Sequence, residues 1–280
     1  MKRIGILYHP MNKAACSLAQ ELESFLSSRG ISVWLCSAWE GEAAKEQLDG
    51  TDLIVTSGGD GTILRAAQVA TTRSVPITGV NLGKLGFMAE LSPDLAKDKL
   101  TTLIAGEGWI DERAMLEAEL YLPDTETPSL FYTLNDVVLA RSEIPRVVGI
   151  EVSIDNELLT TYLADGVIVA TATGSTGYAL SAGGPILHPQ AQEFLMVPIL
   201  PHLGFAYRLV LQATTALKLD VSTVRQATLS IDGHINLPLH SGATVKVKQS
   251  TRRARFLRVH PEASFYSSLE RKLSGKRGVK

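Results

Sequence analysis

Short apolar runs alternate with helical spacing through the first part of this chain, and that alternation restricts the fold most. Ile4 to Leu7 opens the pattern as a buried strand would. Ala15, Leu18, Ala19, Leu22, Phe25 and Leu26 then recur three or four residues apart, and Gly30 follows as a stop. ISVWLC (from Ile31) and LIVT (from Leu53) are rich in β-formers; ILRAAQVA (from Ile63) reads as a helix ended by Pro76, and ITGV (from Ile77) returns to strand. Strand and helix in strict succession predict a parallel sheet flanked by helices, an α/β domain.

From about Met115 the texture changes to short strands: LEAELYL, NDVVLA, VGIEVSI, LLTTYL, GVIVAT, RLVLQA, ATLSI, ATVKVKQ and ARFLRVH. Turn pairs separate several of them, notably Asp155-Asn156, Asp232-Gly233 and Ser241-Gly242. This predicts an all-β, sandwich-like second domain. The expected division is residues 1–108 for the α/β domain, 109–260 for the β-rich domain, and 261–280 for a tail that packs back on the first. The cleft between the domains is the expected place for the site.

With 280 residues, a net charge of -2 and 20% charged residues, nothing global points to nucleic acid or an anionic membrane as partner. The basic end RKLSGKRGVK reads as a solvated terminus. Cys16 and Cys36 form no CxxC pair or dense framework, and no signal-peptide pattern opens the chain, so a reduced, cytoplasmic protein is expected. The most apolar window, FLMVPILPHLGFAYRLVL, is interrupted by Pro198, Pro201, His202 and Arg208 and cannot span a membrane as a helix. The six histidines show no zinc spacing.

TSGGDGTILR, Thr56 to Arg65, sits between a strand and a helix, where open α/β sheets bind their ligands. Glycines allow close backbone approach, and the helix start offers N–H groups to phosphate. The turn is neither GxxxxGK[ST] nor GxGxxG. Asp60 at its centre would repel phosphate. It either caps the helix or serves the acceptor, as a base or orienter for an attacking hydroxyl.

Further concentrations of unusual residues follow. NLGKLGF, Asn81 to Phe87, is a second glycine loop, with Lys84 in reach of phosphate and Phe87 able to pack on a base. Asn135 and Asp136 in LNDVV supply donors and acceptors, but adjacent strand residues face opposite ways, so a shared site needs a turn or bulge there. ADGVIVATATGSTGYALSAGGPI, from Ala164, carries a density of small polar residues that packing alone does not require. Tyr178 there can stack on a base, and Ser181 lies one turn further on.

In order and spacing, GGDGT, NLGKLGF, ND, DGVIVATATGSTGYALSAGGPI and IDGH (from Ile231) together resemble the NAD kinase family, over most of the chain. That resemblance implies phosphorylation of the 2′-hydroxyl of the adenosine ribose of NAD by ATP or polyphosphate, giving NADP. Asp60 would be the catalytic base or orienter. Gly59, Gly61, Arg65 and Phe87 would line the dinucleotide site, and Asn135, Asp136 and Arg146 would bind NAD. Asp165, Thr173, Thr176, Gly177, Tyr178 and Ser181 would surround a base and ribose, with His234 completing the pocket. The resemblance also implies Mg2+ held mainly by nucleotide phosphates, and a homodimer or homotetramer.

Some positions depart from the family pattern. Ala172 stands where a proline is common, which should loosen the loop; Gly177 replaces an alanine, and Asp136 replaces a frequent Glu. GGDG alone also occurs in diacylglycerol-type lipid kinases and in sugar-phosphate kinases, so a lipid or sugar kinase stays open at this point, as does a non-catalytic nucleotide sensor.

Overall fold

The computed structural model describes residues 1–83, 86–123, 125–142, 147–202, 206–224, 226–261, 265–266 and 269. The chain forms two compact units, Met1–Glu112 with Ala254–Lys280, and Arg113–Arg253. This division differs from the expected one at both crossings. β5 (Trp109–Tyr121) and β16 (Thr244–Arg258) each run from one unit into the other without a break, so no turn or linker marks the crossing. Most of the tail 261–280 lies outside the described residues.

The first unit follows the alternation. β1 (Arg3–Tyr8), α1 (Lys13–Ser27), β2 (Ser32–Ser37), α2 (Gly41–Glu46), β3 (Leu53–Gly58), α3 (Asp60–Ala70), β4 (Ile77–Asn81) and α4 (Ala96–Ile104) succeed one another. The strand order is β2-β1-β3-β4, all parallel, with Ile4 beside Val33 and Leu53, and Ile54 beside Ile77. Phe256 of β16 continues the sheet next to Ile77. Ile4, Ile6, Leu53 and Val55 pack with Leu18 and Leu22 of α1 and Leu100 and Leu103 of α4. Asn12 caps α1 by accepting the Ala14 and Ala15 N–H groups at 3.0 and 3.3 Å. α3 ends at Ala70, with Thr71 at its C-cap and Ser74 at a φ of 53°, so the helix stops well before Pro76.

In the second unit lie β6 (Ser129–Thr133), β7 (Asp136–Arg141), β8 (Val148–Ile154), β9 (Glu157–Ala164), β10 (Gly166–Ala170), α5 (Tyr178–Ser181), β11 (Phe194–Ile199), β12 (Leu209–Leu211), β13 (Ala216–Ser222), β14 (Ala227–Ile231) and β15 (Ile235–Leu239). One antiparallel sheet runs β12-β11-β10-β7-β14-β15; against it stand β16-β13-β8-β9 and the β5–β6 pair. Leu139, Val167, Val169 and Phe194 from the first sheet meet Ile150, Val152, Leu217 and Val245 in one core. The alternate residues Val138, Ile168 and Ala170 are buried under Ala179 of α5. A strand covered on both faces reads as the unbroken apolar run GVIVA. Asp155-Asn156 (φ 50° and 72°) make the two-residue hairpin turn between β8 and β9, and Asp232-Gly233 (φ 50° and 68°) open the three-residue turn between β14 and β15.

Candidate functional site

β3 is buried along its length and ends at Gly58, and Gly59 takes the N-cap of α3. Asp60 is therefore the first helical residue, and no side chain caps this helix. The capping role left open by the sequence is not the one Asp60 takes. Its carboxylate reaches the loop after β4, where Oδ2 accepts the Phe87 N–H at 2.8 Å and Oδ1 the Met88 N–H at 3.3 Å. Gly86 lies so close that a Cβ there would stand 2.2 Å from Oδ1 of Asp60. The second glycine loop is thus shaped around the acid of the first. A carboxylate has about four lone-pair sites, so two amides leave room for a hydroxyl.

The backbone around Asp60 is open. Among the described residues, apart from the chain next to it, nothing lies within 4 Å of where a Cβ on Gly59 or Gly61 would stand. The first N–H groups of a helix have no intrahelical partner, and with the dipole they make a place for phosphate oxygens. Arg65, further along α3, lies with its guanidinium 4.3 Å from the ring centre of Trp39, which also packs on His9 at 4.5 Å between centroids. Phe87 is half-buried in the loop that Asp60 holds, and Lys84 lies outside the described residues.

In the second unit the organising group is Asp232, in the turn between β14 and β15. Its carboxylate accepts the N–H groups of Leu134 (3.1 Å), Asn135 (2.7 Å) and Asp136 (3.3 Å), and the Thr133 hydroxyl. Three consecutive amides converge on one carboxylate because the chain bends at 134–135, between β6 and β7. This is the bend that Asn135 and Asp136 need to share a site. A cavity of about 390 Å³ opens here, lined by Asn135, Asp136, Val138, Tyr178, Ser230 and the Asp232-Gly233 turn. Asp136 is only 6% exposed, and no donor among the described residues reaches its side chain. Burial first, and the neighbouring Asp232 second, push its carboxyl up to about 7.

Residues 171–177 run beside Leu134, Asn135 and Asp136 and lead into Tyr178 of the cavity lining, pinned by buried hydroxyls. Thr171 Oγ donates to the Leu134 carbonyl at 2.6 Å and accepts the Gly174 N–H at 3.0 Å; Ser175 Oγ donates to Ala172 at 2.7 Å. The loop is held this way although Ala172 lacks a proline's stiffness. Gly174 is required by close approach, since a Cβ would stand 2.1 Å from the Asn135 carbonyl oxygen. A Cβ on Gly177 would stand 3.7 Å from Nδ2 of Asn135 and 3.9 Å from Oδ2 of Asp136.

The structure therefore gathers Asn135, Asp136 and Tyr178 around one cavity, with Gly177 next to Asn135 and Asp136. His234 follows its Asp232-Gly233 wall, with Nδ1 3.1 Å from the Asp232 carbonyl. Thr176 donates to the Thr173 carbonyl at 3.2 Å, and the Thr173 hydroxyl is engaged by Arg113 at 3.3 Å. Ser181 is exposed at the end of α5. Asp165 is not brought to this cavity within the chain. Ala170 of β10 pairs with Asp136, whereas Asp165 lies beyond the other end of the strand, about 17 Å away at 3.3 Å per residue. There Arg141 holds it in a fork of 2.7 and 2.8 Å. Arg146 lies outside the described residues. Asp232 was missed as a site residue, although IDGH contains it.

Residues 33–108 match the family described as ATP-NAD kinase N-terminal domain, and residues 134–259 match ATP-NAD kinase C-terminal domain. A protein of Dehalococcoides mccartyi named NAD kinase is 50% identical over 98% of this chain and 96% of its own length. One of Chloroflexus aurantiacus with the same name is 38% identical over 98% and 99%. Among solved structures, a yeast NADH kinase complexed with NADH superposes with a TM-score of 0.87 at 25% identity, covering 100% of this chain and 89% of that one. An NAD kinase from Archaeoglobus fulgidus in complex with ATP shares the fold, with a TM-score of 0.78 at 24% identity over 98% and 100%.

Proposed function

The chain belongs to the NAD kinase family, and from that premise we propose that it phosphorylates the 2′-hydroxyl of the adenosine ribose of NAD with ATP, giving NADP. The observation that carries the residue-level reading is the pose of Asp60. It is a helix-start carboxylate fixed by two loop amides, beside glycines with open space at their α-carbons. The turn's N–H groups hold phosphate oxygens of the donor. Asp60 orients the ribose hydroxyl and takes its proton as the O–P bond forms and the bond from the terminal phosphorus to the leaving ADP oxygen breaks. The proton then passes to solvent. The cavity of Asn135, Asp136 and Tyr178 takes a nucleoside, with ring stacking and hydrogen-bonding edges.

Among the described residues no three His, Cys, Asp or Glu side chains cluster as a metal cage. The amide-rich turn suits a magnesium–nucleotide complex whose ion rides on phosphate oxygens, and such an ion would neutralise charge on the transferring group. Inorganic polyphosphate as donor and NADH as acceptor are further arms of the same proposal.

A lipid kinase would need a long apolar groove, and a sugar kinase a basic sugar-phosphate pocket; two acids and an amide in the cavity fit a nucleoside edge better. Free thiols at Cys16 and Cys36 accord with a cytoplasmic location, and no described helix is long and apolar enough to cross a membrane. A homodimer or homotetramer is the assembly this proposal includes, on the likeness to the family, and light scattering reads it. The test of function is direct: purified protein with ATP or polyphosphate, Mg2+, and NAD or NADH. NADP or NADPH should form. Tight NAD binding with no phosphorylation by either donor would favour a sensor and contradict the proposal.

A further inference from the structure

We infer that Arg258 is a positioning residue for phosphoryl transfer, fixing with Glu90 and Asp111 the Met88 peptide that the Asp60 carboxylate holds. This rests on the reading of Asp60 given above. The geometry is a grip on both polar ends of one residue. Asp60 takes the Met88 N–H at 3.3 Å, and an Arg258 terminal nitrogen donates to the Met88 carbonyl at 2.7 Å. The same guanidinium reaches Glu90 at 3.2 Å and, through Nε, Asp111 at 3.1 Å.

Glu90 is anchored in turn. Its other oxygen accepts the N–H groups of Val259 and His260, each at 2.8 Å, and lies 2.9 Å from Nδ1 of His260. Burial alone would raise the Glu90 carboxyl, but Arg258 and these donors outweigh it and hold it below the usual carboxylate range. The side chains of Arg258, Glu90 and Asp111 are 7%, 9% and 3% exposed.

A buried ion cluster is weak evidence for a stabilising role, because apolar groups of the same volume often do as well. What this cluster supplies that apolar packing would not is a directed donor to the Met88 carbonyl. Arg suits that task, since its planar fork meets three acceptors at once; a lysine ammonium is a point charge. Released from Arg258, residues 86–88 would shift, and the carboxylate that accepts two of their amides would shift with them. A reacting group displaced by about 1 Å can cost about a hundredfold in rate.

The experiment is steady-state kinetics with ATP and NAD on Arg258→Lys, Glu90→Gln, Asp60→Asn and the Asp60→Asn/Arg258→Lys double variant, each checked for folding by thermal melt. Arg258→Lys should lower kcat about tenfold or more while the KM for NAD and for ATP each stay within about threefold. Glu90→Gln should fall in the same direction and stands in should Arg258→Lys not fold. In the Asp60→Asn background Arg258→Lys should add little further loss. Amide exchange at Phe87 and Met88 should quicken in Arg258→Lys without a matching change elsewhere. Wild-type kcat in both folded single variants would overturn the inference, and so would an undiminished loss in the Asp60→Asn background. Failure of the Asp60 reading looks different: Asp60→Asn itself would keep wild-type turnover.

Discussion

Asp136 and Asp232 line the same cavity, and among the described residues donors meet them unequally: three consecutive amides and the Thr133 hydroxyl converge on the Asp232 carboxylate, and none reaches the Asp136 carboxyl. Two acids side by side in a buried place cannot both ionise cheaply. Asp136, without such partners, is driven toward its neutral form by burial first and by Asp232 second.

Stability should therefore fall as pH rises through this group. Below about pH 4 Asp136 is protonated in both folded and unfolded chains. Between there and about 7 the unfolded chain releases the proton and the folded chain keeps it, so the unfolded state gains. Above about 7 the loss levels off. A rise from 3.8 to about 7 corresponds to about 4 kcal/mol. The unfolding free energy of the wild type minus that of Asp136→Asn should decline across this window, other titrations cancelling in the difference. A pH-independent difference would contradict the account.

Removing Asp232 should separate its two effects. Asp232→Ala strands the buried amides of Leu134 and Asp136 at about 1–3 kcal/mol each, and the partly buried amide of Asn135 at less, so its urea midpoint should drop well below that of Asp232→Asn, which keeps an acceptor oxygen. Asp232→Asn also removes the charge beside Asp136, and its pH window should narrow toward the acid side. Equal midpoints for the two variants would mean that the amides find other partners.

The glycines of the 174–177 turn should differ sharply. Gly174→Ala drives a methyl to 2.1 Å from the Asn135 carbonyl oxygen, where only backbone can yield, at about 1–3 kcal/mol. At Gly177 the nearest atom is the Gly174 oxygen at 3.2 Å, and φ is -94°. Gly177→Ala should fold and instead change NAD affinity, read by calorimetry, because its methyl lies beside Asn135 and Asp136. A stable Gly174→Ala with unaltered NAD binding would contradict the packing described.

Much of this fold can be read from periodicity, because burial writes itself into the sequence. The one-sided face of α1 shows as Leu18, Ala19 and Leu22, and the doubly covered β10 as GVIVA. Asn135 and Asp136 required a bend, and a bend is found. Its cause, the Asp232 carboxylate, lies nearly a hundred residues away, and no local pattern encodes so distant a hydrogen bond. The same holds for Asp60, whose partners Phe87 and Met88 belong to the next glycine loop, and for Arg258, which reads as one more basic residue on a strand. The helix read as ILRAAQVA ends where α3 does, at Ala70, several residues before Pro76. Asp165 sits in the most distinctive stretch, yet strand length alone carries it far from the cavity.

The central claim is that the Asp60 carboxylate serves the acceptor hydroxyl and not the hold on NAD. It is tested most directly by kcat and KM of Asp60→Asn with saturating ATP, on protein whose melt shows it folded. One amide oxygen remains to accept from residue 87 or 88, so the fold should survive. Turnover should drop by about a hundredfold or more with the KM for NAD within about threefold. A folded Asp60→Asn enzyme with near wild-type turnover, or one whose loss lies wholly in KM, would contradict it.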